Sequence, residues 1–365
     1  HSGLWAKARA AASEGTTTME RYARRSWFIT GVCGTVGREL LAQVLRHDPV
    51  QVTGLDNNES ELFFVQDAFR DAPRLTLYVG DLRDRAELQS RMAGAEIVLH
   101  AAALKHVILC ERSPAAAIQA NILGTQNVVD AAVACGVERV LFTSSDKAVN
   151  PTNVMGTSKL MGERLMTAAN AHTRHGKQVF ASTRFGNVLG SRGSVIPVFK
   201  RQIAAGGPVT LTDPAMTRFI MTLEEAVRLV MESVFLARGG EVFVTKMPVV
   251  RIADLAEVMV EELAPRHGFR PQDIAIETIG QKAGEKLYEE LMNEEELRRA
   301  LELERYHVVT PAFRSPHRDI DYVYPGTVST ERPSHPYNSA TAPAMDRESL
   351  RAYLRRHGYL EPAQG

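Results

Sequence analysis

The sequence predicts a Rossmann-type, doubly wound parallel α/β sheet with a smaller C-terminal α/β lobe, and three observations carry that prediction. Short apolar strands alternate with helix-patterned segments from Trp27 to Arg184, the rhythm of a parallel sheet covered on both faces. The first strand runs straight into glycines spaced Gly31-x-x-Gly34-x-x-Gly37, and a helix follows at once. Asp56 then stands about twenty residues beyond that loop, at the end of the second strand.

Residues 26–30 form the first strand. Residues 38–46 follow with Leu40, Leu41, Val44 and Leu45 on one helical face. Residues 50–55 are the second strand, 75–79 the third, 97–100 the fourth and 139–144 the fifth, reached through a helix around 125–135. A sixth strand is expected at 179–184. Beyond Asn187, prolines at 197, 208, 214, 248, 265 and 271 punctuate shorter elements. Residues 310–343 read as a surface wrap, and 345–357 as a closing helix. The domain plan is a tail at 1–25, a dinucleotide-binding domain at 26–190 with elements returning from 220–250, a ligand lobe at 191–300 and a C-terminal extension at 301–365. His1-Ser2-Gly3 reads as a cleavage scar, and 4–18 as a loosely tied helix or tail.

Lys+Arg and Asp+Glu both total 43, so no net charge draws the chain to nucleic acid or anionic membrane. Cys33, Cys110 and Cys135 are too few and too scattered for a disulfide framework or a zinc site, and no other metal site is expected. Reduced cysteines fit the cytoplasm. No apolar run is long enough to span a bilayer, and no signal peptide is evident.

The strand–glycine loop–helix arrangement brings backbone close to a pyrophosphate, with the helix N-terminus facing the anion. Gly31, Gly34, Thr35, Val36 and Gly37 are therefore expected to hold a dinucleotide. Asp56 favours NAD, because its carboxylate suits ribose hydroxyls and repels a 2′-phosphate; Arg38 nearby leaves NADP open. Asp81, after the third strand, is either an adenine contact or a helix N-cap. Asp146 and Lys147 sit at the end of the fifth strand, where folds of this type place their chemistry. Neighbours on a strand face opposite ways and pair poorly, which argues against a simple ion pair.

Several blocks together resemble the extended short-chain dehydrogenase/reductase superfamily, and within it the bacterial UDP-N-acetylglucosamine 4,6-dehydratases of polysaccharide biosynthesis. They are HAAALKHV (100–107), SSDKAVNPTNVMGTSK (144–159), RFGNVLGSRGSVIPVF (184–199), DPAMTRFIMT (213–222) and GEKLYEEL (284–291). The resemblance implies oxidation at C4 of a UDP-hexose, loss of water across C5–C6, and return of the hydride to C6. It makes Asp146 the acid for the departing C6 oxygen and Lys147 the base for the C5 proton, with Ser145 beside them. A lysine base must be neutral, so its pKa has to be lowered. Lysine rather than glutamate at 147 resembles the C5-inverting branch. Met155 stands where the superfamily usually has tyrosine, as in a subgroup of these dehydratases; Lys159, four residues on, would bond the nicotinamide ribose. A thioether cannot take the C4-hydroxyl proton. Asp146, or a water on Ser145 or Lys159, remains a candidate for that role.

By the same resemblance Leu82, Ala101, Ala102, Ala103, Lys105 and Asn121 adjoin the cofactor. Lys105, His106, Asn187, Arg192, Val195, Arg218, Met221 and Glu285 adjoin the UDP-sugar, with Arg192 and Arg218 as phosphate partners. Helices around 110–135 and 153–172 correspond to a dimer contact, so a homo-oligomer is expected. The alternatives are a UDP-hexose 4-epimerase and a non-catalytic nucleotide-sugar-binding protein.

Overall fold

The computed structural model describes residues 21–173, 178–191, 194–280, 284–314, 316–329 and 333–361. The expected scar and tail lie outside the described residues up to residue 20. Strands β1 (Ser26–Thr30), β2 (Gln51–Asp56), β3 (Leu75–Val79), β4 (Ile97–His100), β5 (Arg139–Ser145) and β6 (Val179–Phe185) follow one another as the alternation predicts. Between them lie helices α1 (Thr35–Leu45), α2 (Glu59–Ala68), α3 (Arg85–Met92), α4 (Val107–Arg112), α5 (Gly124–Cys135) and α6 (Val154–His172). The second half adds strands β7 (Asn187–Val188), β8 (Val209–Leu211), β9 (Thr217–Met221), β10 (Val242–Thr245), β11 (Val249–Arg251) and β12 (Ile276–Thr278). It continues with β13 (Glu290–Met292), β14 (Ala300–Leu303), β15 (Tyr306–Val309), β16 (Thr327–Ser329) and β17 (Tyr337–Asn338). Helices α7 (Val195–Ala204), α8 (Leu223–Leu236), α9 (Ile252–Leu263) and α10 (Arg347–Arg356) accompany them.

Ten strands form one sheet in the order β16-β14-β15-β10-β6-β5-β4-β1-β2-β3. From β10 to β3 every pair is parallel. Alternate residues of β1 face opposite layers, as a pleated strand requires. Trp27 and Ile29 join Leu40, Leu41 and Val44 of α1 and Val227 and Val230 of α8. Phe28 joins Val128, Phe142 and Met166 on the other side. The chain turns back at β1, flanked by β2 and β4, which opens the crevice where such sheets bind ligands.

The far edge was not foreseen. Residues beyond 299, read mainly as an extension, place β14, β15 and β16 antiparallel on β10. Tyr306, Val308 and Val309 are buried there, and short apolar runs of this kind find their partner only through tertiary packing. A second core joins Phe199 and Ile203 of α7, Leu255 and Met259 of α9, and Leu350 and Leu354 of α10. Exposed bridges such as Arg355 to Glu262 at 2.8 Å fasten α10 to α9.

Arg184, near the end of β6, is 1% exposed and fully engaged. Its Nε and Nη2 donate to Glu163 of α6 at 2.8 and 2.7 Å. Nη1 and Nη2 donate to Glu296 at 2.8 and 2.7 Å, and Nη1 reaches the Leu291 carbonyl at 3.0 Å. Those bonds use all five guanidinium donors. Ser144 of β5 donates to Glu163 Oε1 at 2.5 Å. Burial works against the charge, but the two carboxylates outweigh it and hold the guanidinium protonated. Removing one partner strands a buried charge, so Glu163→Ala is expected to lose about 3–5 kcal/mol. Arg355→Ala, at an exposed bridge, should lose less than about 1 kcal/mol. Urea denaturation of both variants measures the contrast.

Candidate active site

The glycine loop is a cradle that only glycine permits. Gly31 has φ +70°, and a Cβ there would lie 2.6 Å from both N and Cα of Ala102. A Cβ on Gly37 would fall 2.0 Å from the Gly31 carbonyl oxygen. Helix α1 therefore starts within the motif, at Thr35 with Gly34 as N-cap, earlier than the apolar periodicity suggests. The first-turn amides of Thr35, Val36 and Gly37 have no acceptor within the helix, and no acidic side chain occupies that turn. Asp56 accepts from the Cys33 and Asn58 amides at 3.0 Å each, tying the loop to the end of β2. Its carboxylate keeps lone pairs for a further donor.

Around this cradle the expected residues divide. Ala101, Ala102 and Ala103 follow β4, with the Ala101 amide on the Thr30 carbonyl at 3.3 Å. Leu82 is buried. Asp81 pairs with Arg83 at 2.5 Å, and the N-cap of α3 is Asp84 rather than Asp81. Asn121, expected at the cofactor, is committed to the protein. Its Oδ1 accepts from the Leu104 amide at 2.7 Å, and its Nδ2 donates to the Leu104 carbonyl and Ser158 Oγ at 2.9 and 2.8 Å. It shapes the loop that carries Ala103 and the exposed Lys105.

At the end of β5 the chain leaves the strand for a single 3-10 turn, Asp146–Ala148, capped by Ser145. Strand alternation therefore stops applying, and Asp146 and Lys147 do pair, contrary to the argument from alternation. Lys147 Nζ donates to Asp146 Oδ1 at 3.1 Å, and Ser145 Oγ donates to the same oxygen at 2.6 Å. Glu289 completes the group, its Oε1 3.5 Å from Lys147 Nζ. Glu289 lies within the GEKLYEEL block, but nothing local marks a buried carboxylate. Burial disfavours the Lys147 ammonium, yet Asp146 and Glu289 outweigh that effect and raise its pKa. The lowering that a neutral lysine base requires is thus absent from this arrangement. Glu289 is itself raised, by burial and then by Asp146.

Lys159 is the lysine that burial does depress. Its Nζ donates to the Thr143 carbonyl at 2.9 Å and sits 4.7 Å above the Phe142 ring. Burial takes its pKa down to about 8 against the opposing pull of Glu163. Met155 is 3% exposed and packs with Cys110 and Ala117 in a small apolar cluster. Its thioether is core, with no place among the polar groups of the site.

A cavity of about 550 Å³ opens beside Lys147, lined by Val107, Ile108 and Leu109, by Asn187, and by Gly284 of the 284–289 segment. His106, Arg218 and Glu285 line it as expected, and Asn153, Lys286 and Glu289 are additions. Asn187 Nδ2, Glu285 Oε2, Glu289 Oε2 and Asp146 Oδ2 are buried without a hydrogen-bond partner. Such groups are costly unless a ligand completes them.

Arg218 is less available to phosphate than expected. Nη1 donates to the Thr217 and Leu287 carbonyls at 2.7 and 3.1 Å, and Nη2 to Lys286 O at 2.8 Å. Glu289 and Glu285 flank its remaining donors at 3.7 and 3.8 Å. It clamps the 285–289 segment. Met221 is 2% exposed and belongs to the main core, so its side chain is no ligand contact. Val195 begins α7 and packs on the second core. Arg192 lies outside the described residues.

The family described as "Polysaccharide biosynthesis protein" matches residues 27–311. The chain belongs to this family. It is 44% identical over 339 residues to a Methanocaldococcus jannaschii relative described as an uncharacterized membrane protein, covering 93% of this chain and 98% of that one. A UDP-N-acetylglucosamine 4,6-dehydratase (inverting) of Campylobacter jejuni is 35% identical, over 82% of this chain and 86% of its own length. A UDP-glucose 4-epimerase of Rickettsia akari is 38% identical, over 78% and 82%. The chain spans only 45% of a Staphylococcus aureus capsular polysaccharide biosynthesis protein to which it is 42% identical over 74% of its own length. The crystal structure of Pen from Bacillus thuringiensis superposes with a TM-score of 0.83 at 40% identity, covering 92% of this chain and 98% of Pen. The dTDP-glucose 4,6-dehydratase DesIV of Streptomyces venezuelae, solved with NAD and TYD bound, shares the fold at a TM-score of 0.63 and 22% identity, over 72% of this chain and 86% of DesIV. Among the described residues no helix is long and apolar enough to cross a membrane.

The Lys159 environment has a measurable consequence. Its pKa is about 8 when folded, against an ordinary 10.5. Across that window the unfolded chain binds a proton that the folded chain does not, so Lys159 makes stability climb as pH rises. Lys159→Met is expected to flatten this climb relative to wild type, read from denaturation midpoints at a series of pH values.

Proposed function

We propose that this chain is an NAD-dependent nucleotide-sugar 4,6-dehydratase that acts on UDP-N-acetylglucosamine or a close UDP-hexose with inversion at C5. The observation that carries the reading is the Asp146–Lys147 pair, 3.1 Å apart in one turn at the C-terminal end of β5 and beside the 550 Å³ cavity. The cradle at Gly31, the free amides of α1 and Asp56 fit a dinucleotide, and the like charge of Asp56 favours NAD over NADP. When bound, that cofactor supplies reversible hydride acceptance from C4 and return to C6.

The C4 hydroxyl proton leaves to solvent through a water on Ser145 or Lys159, and a solvent proton returns to C5 as the hydride reaches C6. The chain's own residues handle the two protons of the elimination. Elimination needs Lys147 neutral and Asp146 protonated, which is the tautomer of the observed ion pair, one proton displaced along their hydrogen bond. Lys147 then takes the C5 proton while Asp146 gives its own to the departing C6 oxygen. Those two transfers regenerate the ion pair seen here, with no net proton gained or lost. Asn187 and Glu285, with unpartnered buried atoms, are assigned to the nucleotide end of the substrate. Exposed Ile118 and Leu123, in the segment between α4 and α5, and Met161 on α6 support a homo-oligomer. The free cysteines fit a cytoplasmic setting.

The second reading is a 4-epimerase, favoured by the Rickettsia relative. Incubation with NAD and UDP-N-acetylglucosamine in D₂O, followed by NMR, separates the two. A 4-keto-6-deoxy product deuterated at C5 is expected, whereas a C4 epimer without deuterium establishes the second reading. Lys147→Ala should slow C5 exchange at least ~10²-fold while dinucleotide binding persists. Undiminished exchange in that variant sinks the base assignment. Asp146→Asn should keep C5 exchange but lose the elimination of water.

A further inference from the structure

Lys147 stands between two carboxylates, and the reaction proposed above employs only one of them. Glu289 is 3% exposed, on a segment some 140 residues further along the chain from Lys147. Its Oε1 is 3.5 Å from Lys147 Nζ and 3.7 Å from Arg218 Nε, and its Oε2 is buried without a partner. Its backbone is pinned, since the Glu289 amide donates to Ser339 Oγ at 2.9 Å and its carbonyl accepts from the Ser339 amide at 2.8 Å. A carboxylate so buried and so firmly held, on a residue that lines the cavity and with one oxygen left without a partner, is poorly explained as a scaffold ion pair.

We infer that Glu289 is a positioning residue for the base, holding Lys147 in place and stabilising the positive charge that Lys147 acquires as it takes the C5 proton. The inference rests on the dehydratase reading. Asp146 cannot fill this role alone. As Lys147 gains a proton, Asp146 is losing one to the C6 oxygen, so its negative charge develops only as the reaction proceeds. Glu289 touches no transferring proton and supplies a charge fixed beforehand, the arrangement that costs no reorganisation during the step. The other charged groups facing this pair are Asp146 on the turn, Arg218 on β9, and Glu285 and Lys286 on the 284–289 segment. His106 also lines the cavity. Arg218 carries the compensating positive charge against the same Glu289 oxygen, Oε1, that Lys147 approaches, and it is too thoroughly bonded to backbone carbonyls to leave.

The test is Glu289→Gln, which keeps shape and removes charge. In full-length protein labelled with ¹⁵N-lysine and saturated with NAD, the Lys147 Nζ signal is assigned by its loss in Lys147→Arg and then titrated. The pKa of Lys147 is expected to fall by about one unit or more in Glu289→Gln. The acid limb of the C5-exchange profile on UDP-N-acetylglucosamine should move down with it, at a plateau rate reduced about tenfold or more. A Lys147 titration identical to wild type overturns the inference. If Glu289→Gln does not fold, Glu289→Asp draws the carboxylate back by one methylene; a lowered Lys147 pKa supports the inference and an unchanged one overturns it. Should wild-type protein neither exchange C5 nor dehydrate the substrate, the dehydratase reading fails, and the Lys147 titration still decides whether Glu289 governs that lysine.

Discussion

The buried Arg184 network is the constraint on which the site depends. A guanidinium inside the protein is tolerable only with its charge balanced and every donor used. Arg184 meets that condition by drawing together Glu163 of α6, Glu296 after β13, and the Leu291 carbonyl. Ser144 joins through Glu163, so the last turn of β5 is anchored to the same centre. The strand that delivers Asp146 and the segment that delivers Glu289 are thus bolted to one charge. Neither can shift without stranding a buried ion.

From that anchor the site is assembled out of distant pieces. Lys286 donates to the Val149 and Asn150 carbonyls at 3.0 and 2.8 Å, which presses the 284–289 segment onto the Asp146–Ala148 turn. Asn153 holds the Gly284 carbonyl at 3.1 Å. Ser339, after β17, braces Glu289 from behind and contacts Thr217 Oγ1 at 2.9 Å. A region whose composition suggests surface wrapping therefore buttresses the Asp146–Lys147–Glu289 group. Two lysines on either side of the β5 terminus end up with opposite electrostatics. Lys147, between two carboxylates, is held charged, while Lys159, under Phe142 and a backbone carbonyl, is pushed toward neutrality.

What could be read from the sequence divides along the range of the interactions. The glycine loop was legible because its geometry is local: three glycines, a strand before and a helix after. The approach of Ala102 to Gly31 shows why no other residue serves there. The Asp146-Lys147 pair is legible by position but its contact is not, because strand alternation gives way there to a 3-10 turn capped by Ser145. Asn121, Arg218 and Met221 were assigned to ligands by likeness of motif. Their side chains are engaged within the protein, and only the partners' placement reveals it.

Taken alone, the sequence determined the parallel α/β scaffold, the glycine cradle and the strand end that carries Asp146 and Lys147, since each follows from periodicity and short-range geometry. The tertiary structure alone decided the antiparallel edge of the sheet, the burial of Met155 and the presence of Glu289 beside Lys147. Those outcomes depend on which surfaces exclude water and which charges must then be compensated. Glu289 is about 140 residues from Lys147 in the chain and 3.5 Å away in space, a proximity that no local pattern encodes.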